Sequence, residues 1–216
     1  MFSWLLDLFF PPKCVLCKKL LSREETDICH HCRHTAPEFQ KNKFKISFVA
    51  GWTGLWYYKD EPRNSLIRYK FRGKRSYNEA YGRALSMHLR QKHFDTFDVL
   101  TYVPVSSLRR YRRQYDQVEL IALVVAGELG VELTPTLRKI RHTQPQSGLT
   151  DVSRRRANVL GAYKIKNPDL VRGKRILLLD DILTTGATAS ECARVLLTAG
   201  AKEVYFAAVA VANHDK

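Results

Sequence analysis

The chain has 216 residues, of which 45% are hydrophobic, and it contains no low-complexity tract. This composition excludes a disordered protein and leaves room for one medium-sized domain with a small appendage. Lysine and arginine together number 36 against 21 acidic residues, which gives a formal net charge of +15 at pH 7. Such an excess favours a polyanionic partner, whether nucleic acid, anionic lipid or a phosphorylated small molecule, and does not choose among them.

The first ten residues, MFSWLLDLFF, are apolar but too few to span a bilayer. They lack the basic n-region and the small-residue cleavage site of a signal peptide. We expect a short amphipathic helix that ends at Pro11-Pro12 and docks on the body of the protein. A peripheral membrane anchor through Trp4 and Phe9 is the alternative. Without an export signal or a transmembrane segment, the chain is expected to be cytoplasmic and its cysteines reduced.

Two cysteine pairs follow, each with the spacing Cys-x-x-Cys: Cys14 with Cys17, and Cys29 with Cys32. In a reducing compartment this pattern predicts a tetrahedral structural Zn²⁺ site rather than disulfides. Four thiolates leave no open coordination position, so we assign the ion a structural role and not a hydrolytic one. His30 or His31 could replace one thiolate. The basic residues nearby either contact nucleic acid or are solvated: Lys13, Lys18, Lys19 and Arg23.

The middle of the chain predicts a series of alternating elements. Residues 44–58 combine β-branched and aromatic residues with two glycines, which indicates a hairpin or two edge strands. Helices are expected over 60–71 and from 77 to about 91. Residues 97–103 predict the first core strand of the larger domain, and a further helix follows over 118–129.

The end of the first of these helices, YKFRGK at 69–74, is both basic and aromatic. Stacking on a nucleobase is one interpretation. Another is a lysine, Lys70, that contacts a pyrophosphate. The default for the aromatic residues is an ordinary amphipathic helix end, with Tyr69 and Phe71 facing inward.

An arginine-rich run, RRYRRQYDQ at 109–117, follows the strand at 97–103. Ligands of parallel α/β sheets gather at the carboxyl ends of the strands. Arginines at that edge could bind a pyrophosphate through bidentate contacts, or a nucleic-acid backbone. Since at most two could face one small ligand, we divide them: Arg109 and Arg113 for pyrophosphate, Arg110 and Arg112 for nucleic acid.

A long polar and basic stretch runs from 138 to 158 and includes proline, glycine and glutamine. It predicts a mobile loop and then a short helix capped by Asp151 or Ser153. A loop of this length in a compact domain is usually functional or disordered, and a lid would exclude water from a reactive sugar phosphate. We assign its cations as follows: Arg155 to pyrophosphate, and Arg138, Lys139, Arg141, Arg154 and Arg156 to nucleic acid.

The most informative stretch is RILLLDDILTTGATA at 175–189. Its aliphatic run, 176–179, predicts a strand buried on both faces, which two carboxylates close. A loop of small polar residues follows, and then a helix from 189 to a C′ glycine, Gly200. Further strands are expected over 160–165 and 204–211. Cys192, on the helix, is interpreted as core packing.

The strand, loop and helix of this stretch fit a sugar phosphate. A helix N-terminus offers free N–H groups and a partial positive charge to a phosphate. The carboxylates of Asp180 and Asp181 repel phosphate, so they need sugar hydroxyls or a bound Mg²⁺ instead. A Walker-B strand is the chief rival, but the G-x-x-x-x-G-K-[ST] partner loop is absent from the sequence. A plain βα turn with a threonine N-cap would not need two adjacent acids.

The run ILLLDDILTTGAT resembles the ribose-phosphate signature of the type I phosphoribosyltransferases. The resemblance implies that Asp180 and Asp181 hold the ribose hydroxyls of phosphoribosyl pyrophosphate (PRPP), with Mg²⁺ accompanying the ligand. It also implies that the loop holds the 5′-phosphate: Thr184, Thr185, Gly186, Ala187 and Thr188. The signature does not name the acceptor of the ribose.

The order of the cysteine pairs, the aromatic region and the signature loop resembles the ComF-type competence proteins. Val103-Pro104-Val105 with the arginine run to Gln117 is similar to the family's VP…R…RGFNQ segment, except for Gln114-Tyr115-Asp116 in place of Gly-Phe-Asn. A second similarity is to its T…Q…L…R..N..GAF segment: Thr143, Gln146, Leu149, Arg155, Asn158 and Gly161-Ala162-Tyr163. The resemblance implies a protein of natural transformation that acts on single-stranded DNA beside a DNA-uptake helicase.

We therefore expect an α/β fold of the type I phosphoribosyltransferase kind, a parallel sheet flanked by helices, with a small zinc module. The expected division is 1–40 for the N-terminal helix and zinc finger, 41–95 for a hood or connecting region, and 96–216 for the phosphoribosyltransferase-like domain. Two hypotheses remain. One is a DNA-handling competence protein whose pocket binds PRPP; the other is an active Mg²⁺-dependent phosphoribosyltransferase of a small nucleobase or amine.

Overall fold

A parallel four-stranded sheet is the centre of the fold. The computed structural model describes residues 11–40, 44–143 and 157–212. The sheet has the order β1-β6-β5-β2, with β1 Gly51–Tyr57, β6 Glu203–Val211, β5 Arg175–Leu183 and β2 Val99–Tyr102. All neighbouring strands run parallel, so their carboxyl ends meet at one edge. The expected α/β class with a parallel sheet is confirmed.

Helices cover both faces of this sheet. They are α1 His30–Thr35, α2 Asp60–Phe71, α3 Tyr77–Gln91, α4 Ser107–Arg113, α5 Gln117–Leu129 and α6 Ala187–Thr198, with a 3₁₀ turn at Pro168–Leu170. The predictions for α2, α3, α5, α6 and β6 are confirmed. A second, antiparallel sheet pairs β3 Leu137–Lys139 with β4 Tyr163–Ile165.

Strand β5 divides the core into two halves. Leu177 and Leu179 pack into the cluster formed with α3 and α5, whereas Ile176 and Leu178 pack into the cluster formed with α6. All four side chains are inaccessible to solvent. Burial on both faces explains why this strand has a continuous aliphatic run rather than an alternating pattern, as predicted.

Close approach of α3 and α5 covers one face of the sheet. Gly82 on α3 permits it, because a Cβ at this position would lie 2.4 Å from Cβ of Val124. Cys192 on α6 is fully buried in the other cluster, which confirms its interpretation as core packing.

Three sequence-based expectations are corrected by the structure. Residues 44–58 form one strand and not a hairpin, since Phe48 adopts a left-handed backbone (φ 67°) and β1 begins only at Gly51. Arg138 and Lys139 lie in β3 and not in a loop, because Leu137 is buried and the strand pairs with β4. Strand β5 continues past the two carboxylates to Leu183, since β6 offers pairing partners that far along.

Two sequence-based expectations concern residues that the structure does not describe. The N-terminal amphipathic helix, 1–10, and residues 144–156 of the basic stretch lie outside the described residues. The division at residue 96 stays a prediction, although β1, from the 41–95 segment, pairs with β6 in the main sheet. None of the helices in the described part of the chain has the length and hydropathy needed to span a bilayer.

Candidate functional site

Three elements converge on the carboxylate of Asp181, near the end of β5. Its Oδ1 accepts a hydrogen bond from Nζ of Lys70 at 2.8 Å, which brings in the end of α2. Its Oδ2 accepts one from Nε2 of Gln117 at 3.2 Å, which brings in the first turn of α5. Only 5% of Asp181 is exposed. A buried carboxylate requires such partners, since an uncompensated charge in this place would be costly.

Asp180 lies beside it in a different environment. Its Oδ1 accepts a hydrogen bond from the backbone N–H of Asp181 at 2.8 Å. Burial and the neighbouring charge of Asp181 raise the pKa of Asp180 well above its usual value, and Lys70 opposes the rise. The pair therefore attracts groups that relieve its negative charge, such as hydroxyl donors or a cation.

The loop after β5 ends at Gly186, which is the N-cap of α6. Gly186 has φ +76°, and a Cβ there would lie 3.2 Å from Cγ1 of Ile46. The N-cap residue is a glycine and not a threonine, so the interpretation as a turn with a threonine N-cap is wrong. The hydroxyl of Thr185 is buried and is without a hydrogen-bond partner among the described residues. The N-terminus of α6 suits an anion, whereas Thr185 is not among the residues that line the cavity.

A cavity of about 300 Å³ lies at this edge of the sheet. It brings together residues that lie far apart in the sequence, from Tyr58 to Ala189. The polar residues that line it are Asp180, Asp181, Thr184, Gly186, Thr188, Lys70, Arg109, Gln117, Lys139 and Thr143. An acid pair, a helix N-terminus and three cations thus face one space. This combination suits a ligand that carries both hydroxyls and phosphates.

The predicted basic residues fall in different places. Two of the predicted pyrophosphate contacts, Lys70 and Arg109, line the cavity, and their role stays a prediction. Nη2 of Arg109 also donates to the carbonyl oxygen of Thr143 at 3.0 Å. Arg113 lies on α4, but its side chain is outside the described part of the structure, as is all of Arg155.

Lys139 had been assigned to nucleic acid, and the structure places it in the cavity instead. Its ammonium lies 5.0 Å from the ring centroid of Tyr163. Burial, together with the nearby charge of Arg109, lowers the pKa of Lys139 to about 8. A lysine in this environment gains from an anionic ligand, because the anion stabilises its charged form.

The other nucleic-acid candidates that the structure describes do not line the cavity. Arg110 is exposed on α4 and forms an ion pair with Glu119 at 3.3 Å. Arg138 is exposed on β3. Arg141 donates through Nη2 to the carbonyl oxygens of Asn158 and Leu160, at 3.0 and 2.9 Å, and so joins the two ends of the basic stretch. The side chain of Arg112 and residues Arg154 and Arg156 are outside the described part of the chain.

The prediction for Phe71 is wrong, and that for Tyr69 is correct. Tyr69 is fully buried, and its hydroxyl donates to the carbonyl oxygen of Gln117 at 2.7 Å. Phe71 is 69% exposed and lies at the cavity. Helical spacing explains the difference, since side chains two residues apart point to different sides of a helix. Tyr58, after β1, is a further aromatic lining residue that the sequence did not single out.

The turn that departs from the family's pattern is intact. Oδ1 of Asp116 accepts from the backbone N–H groups of Val118 and Glu119, and Oδ2 accepts from that of Val105 at 2.8 Å. Asp116 therefore caps α5, which an asparagine in the family's pattern could also do. Gln114 adopts φ +63°, a backbone conformation that glycine takes without strain.

The four predicted zinc ligands form one cluster near the N-terminus. The sulfur atoms of Cys14, Cys17, Cys29 and Cys32 all lie within 4.8 Å of one another, and those of Cys17 and Cys29 are 3.7 Å apart. A tetrahedral Zn²⁺ with Zn–S bonds of about 2.3 Å requires about 3.8 Å between sulfurs. The residues therefore fit the ion, and the cluster is four cysteines without a histidine.

Helix α2 holds this cluster against the main fold. Nη2 of Arg68 donates to the carbonyl oxygens of Val15 and Leu16, which lie between the first two cysteines. Ser65 also donates to the carbonyl oxygen of Val15. Arg68 is 9% exposed, so these contacts are inside the protein. Lys70, which contacts Asp181, lies two residues further along the same helix.

Comparison with known protein families agrees with this arrangement. Residues 119–216 match the phosphoribosyl transferase domain, and residues 5–43 match the double zinc ribbon domain. The fold and the site therefore define a phosphoribosyltransferase-domain protein with an N-terminal zinc ribbon. The chain is a homologue of the proteins named competence protein F, ComFC and DNA utilization protein YhgH, and the resemblance to the ComF-type family is confirmed.

The relatives match different shares of the chain. Competence protein F of Haemophilus influenzae is 29% identical over 153 residues, 67% of this chain and 66% of that protein. YhgH of Salmonella typhi is 34% identical over 108 residues, 50% of this chain and 46% of that protein. ComFC of Bacillus subtilis is 29% identical over 196 residues, 87% of this chain and 78% of that protein. The chain thus spans about half to two thirds of the first two relatives.

Two solved structures also resemble parts of the chain. One is the glutamine PRPP amidotransferase from B. subtilis, with 24% identity and a TM-score of 0.40, covering 61% of this chain and 25% of that one. The other is the allosteric regulatory enzyme of purine biosynthesis, with 25% identity and a TM-score of 0.39, covering 60% and 25%.

Proposed function

We propose that this protein is a cytoplasmic competence protein that acts in DNA uptake, binds single-stranded DNA, and binds PRPP with Mg²⁺ in its phosphoribosyltransferase domain. The observation that carries the PRPP proposal is that an acid pair, a helix N-terminus and three cations meet in one cavity. No simple anion needs the acids, and no neutral sugar needs the cations. A phosphorylated ribose with a pyrophosphate needs both.

Each part of the ligand has a matching part of the cavity. The 5′-phosphate suits the N-terminus of α6, where backbone N–H groups and the hydroxyls of Thr184 and Thr188 are at hand. The ribose hydroxyls suit Asp180 and Asp181. The pyrophosphate suits Lys70 and the other two lining cations. Lys70 and Asp181 already form an ion pair. In the bound state the ribose would therefore contact its acidic member and the pyrophosphate its basic member.

A magnesium ion fits the same acids. Carboxylate oxygens are hard ligands of the kind that Mg²⁺ prefers, and it usually binds through one or two of them together with substrate phosphates. Asp180, with its raised pKa, would gain most from such a cation. When bound, the ion would neutralise charge on the pyrophosphate.

The proposal for DNA rests on the charge and on the named relatives. A net charge of +15 exceeds what one small ligand requires, and the homologues bear the names competence protein and DNA utilization protein. By this analogy we propose a role in natural transformation, beside a DNA-uptake helicase. Single-stranded DNA is the form that such a role supplies.

An active phosphoribosyltransferase of a small nucleobase or amine is the second candidate. Phe71 and Tyr58 give the cavity aromatic walls, which suit a planar acceptor. The reaction would join the acceptor nitrogen to C1 of the ribose as pyrophosphate leaves, through an oxocarbenium-like C1. Lys70 and Arg109 would stabilise the departing pyrophosphate. No residue of the cavity is assigned as a general base.

Calorimetry with PRPP and Mg²⁺ tests the ligand proposal. Asp181→Asn removes a charge-assisted hydrogen bond of about 1.5–3 kcal/mol, so affinity should fall about 10- to 100-fold. Asp169→Asn is the matched control, because Asp169 is 74% exposed on the 3₁₀ turn, away from the cavity. Unchanged affinity in Asp181→Asn would discredit the site.

Fluorescence anisotropy with single-stranded DNA across a salt series tests the DNA proposal. Affinity should fall as salt rises, since phosphate contacts release counterions. Absence of binding at low salt would remove this part of the proposal and leave PRPP binding untouched.

A further inference from the structure

Two exposed aromatic side chains lie on elements that contribute residues to the cavity wall, the end of α2 and helix α4. Phe71, at the end of α2, is 69% exposed, and Tyr111, on α4, is 83% exposed. One exposed aromatic residue needs no explanation, because folded proteins expose many apolar groups. These two, however, lie beside or within two strongly basic segments, 72–75 and 107–115. Residues 72–75 and 107–115 contain seven lysines or arginines and no acidic residue.

The two segments are neighbours in space. The hydroxyl of Tyr115, after α4, donates to the carbonyl oxygen of Tyr69 at 2.9 Å, which joins this segment to the end of α2. The guanidinium of Arg75 lies 5.8 Å from the ring centroid of Tyr115. Phe71 and Arg109 line the same cavity. The ends of α2 and α4 therefore border one opening.

Helix α4 presents different residues inward and outward. Arg109 lines the cavity. The side that faces out carries residues at helical spacing, which border a shallow groove: Ser107, Arg110, Tyr111 and Gln114. Arg110 is 61% exposed despite its ion pair with Glu119. We define the outer rim by its five exposed side chains: Phe71, Arg72, Arg75, Arg110 and Tyr111.

A single-stranded polynucleotide fits this chemistry better than other polyanions do. Single strands expose base faces, which stack on aromatic rings, and a backbone that arginines can follow. Duplex DNA hides its base faces in the stack and offers only phosphates and groove edges. An anionic membrane would match the arginines, but the two aromatic residues are too few to form a continuous apolar face.

The zinc ribbon is a weaker candidate for the same partner. Its exposed lysines, Lys13, Lys18 and Lys19, are followed by the acidic residues Glu24, Glu25 and Asp27. The large exposed apolar side chain of the described ribbon is Leu20, which offers no ring for stacking. The rings that the described ribbon exposes are the imidazoles of His30, His31 and His34. No phenylalanine, tyrosine or tryptophan is exposed in the described ribbon, so it lacks the larger ring faces on which bases stack at the rim.

We propose that single-stranded DNA binds across the outer rim, at the mouth of the phosphoribosyl cavity. Bases stack on Phe71 and Tyr111, and Arg72, Arg75 and Arg110 contact the phosphates. This inference rests on the proposed DNA-binding function and assigns it a surface. It also separates two groups of basic residues: the cavity cations serve the small ligand, and the rim arginines serve the polymer.

The test is anisotropy with a labelled oligothymidylate of about 16 nucleotides, the upper end of the range for one binding fold. Tyr111→Ala and Phe71→Ala should each weaken binding about 5- to 150-fold, the loss of one stacked base, without changing the salt slope. Arg72→Gln and Arg75→Gln should each reduce the slope of log K against log salt by about 0.7, the value for one phosphate contact on a single strand.

Matched controls lie elsewhere on the surface. Met87→Ala on α3 removes a side chain that is 61% exposed, and Lys18→Gln and Lys19→Gln remove charges from the ribbon. These three should bind DNA as the unchanged protein does, and Tyr111→Ala should keep its affinity for PRPP. If the unchanged protein binds DNA but the rim variants bind as tightly as the controls, the assignment of DNA to the outer rim is overturned and the DNA-binding proposal stands. A loss of affinity confined to the ribbon variants also overturns the assignment to the outer rim. If the unchanged protein does not bind DNA, both the DNA-binding proposal and its assignment to the rim fail.

Discussion

The lysine inside the cavity leads to a quantitative prediction about pH. Burial and Arg109 place the pKa of Lys139 at about 8 instead of 10.5. A bound pyrophosphate stabilises the ammonium form, so the pKa of Lys139 rises on binding and a proton is taken up above pH 8. Affinity for PRPP should therefore be highest below pH 8 and should fall as the pH increases.

The size of the effect follows from the same numbers. One charge-assisted hydrogen bond of about 1.5–3 kcal/mol corresponds to a rise of about one to two pKa units on binding. At pH 9.5 only about 3% of the free protein carries a charged Lys139 if its pKa is 8. Affinity should thus fall about 7- to 20-fold between pH 7 and pH 9.5. The phosphates of the ligand stay ionised throughout, since their second pKa is about 6.

Calorimetry at both pH values measures this fall, and two buffers of different ionisation enthalpy count the proton that binding takes up. Lys139→Met should bind more weakly at pH 7 and show almost no pH dependence. Lys164→Met, at an exposed position on the neighbouring strand β4, is the control and should behave as the unchanged protein does. The reasoning would be refuted if Lys139→Met kept the full pH dependence, or if no proton were taken up at pH 9.5.

Three further predictions concern the backbone and a buried histidine. Gln114→Gly should raise the free energy of unfolding, measured by urea denaturation, by about 0.5–1 kcal/mol, because glycine adopts φ +63° without strain. Gly130→Ala, at φ +70°, should lower it by about 1 kcal/mol. Changes of the same sign in the two variants would contradict the argument. Gly186→Ala and Gly173→Ala should each lose about 1–2 kcal/mol, since φ is +76° and +71°, but calorimetry should show weaker PRPP binding in the first alone. Burial lowers the pKa of His88 to about 4, so the folded state binds fewer protons than the unfolded state between pH 6.5 and pH 4. The free energy of unfolding should therefore fall by about 3 kcal/mol as the pH decreases from 6.5 to 4. The variant His88→Gln should lack this part of the fall.

The central strand and its loop could be predicted from the sequence because their signals are local. A strand buried on both faces has no polar alternation, and residues 176–179 show this directly. The spacing of the cysteine pairs likewise fixes a metal cluster without knowledge of the fold. Helices α2, α3 and α5 were predictable from their starting residues and apolar periodicity.

Other features depend on contacts between distant residues, which a sequence does not display. Strand β3 has three residues, too few for a period of two to be detected, and its pairing with β4 decides its structure. That pairing also positions Lys139 at the cavity, although its neighbours in sequence resemble a nucleic-acid loop. The contact between Lys70 and Asp181 joins residues 111 positions apart. Such pairs become visible only when the sheet is assembled.

The last turn of helix α2 contacts both the zinc ribbon and the acid pair. Arg68 donates hydrogen bonds to carbonyl groups of the zinc ribbon. Lys70, half a turn further on, forms an ion pair with Asp181, which is proposed to bind the ribose. A rigid helix cannot be displaced at one position and stay fixed two residues away. Losing the metal would therefore disturb sugar recognition from outside the cavity, and by thermodynamic reciprocity a bound sugar phosphate would make the ribbon hold its metal more tightly.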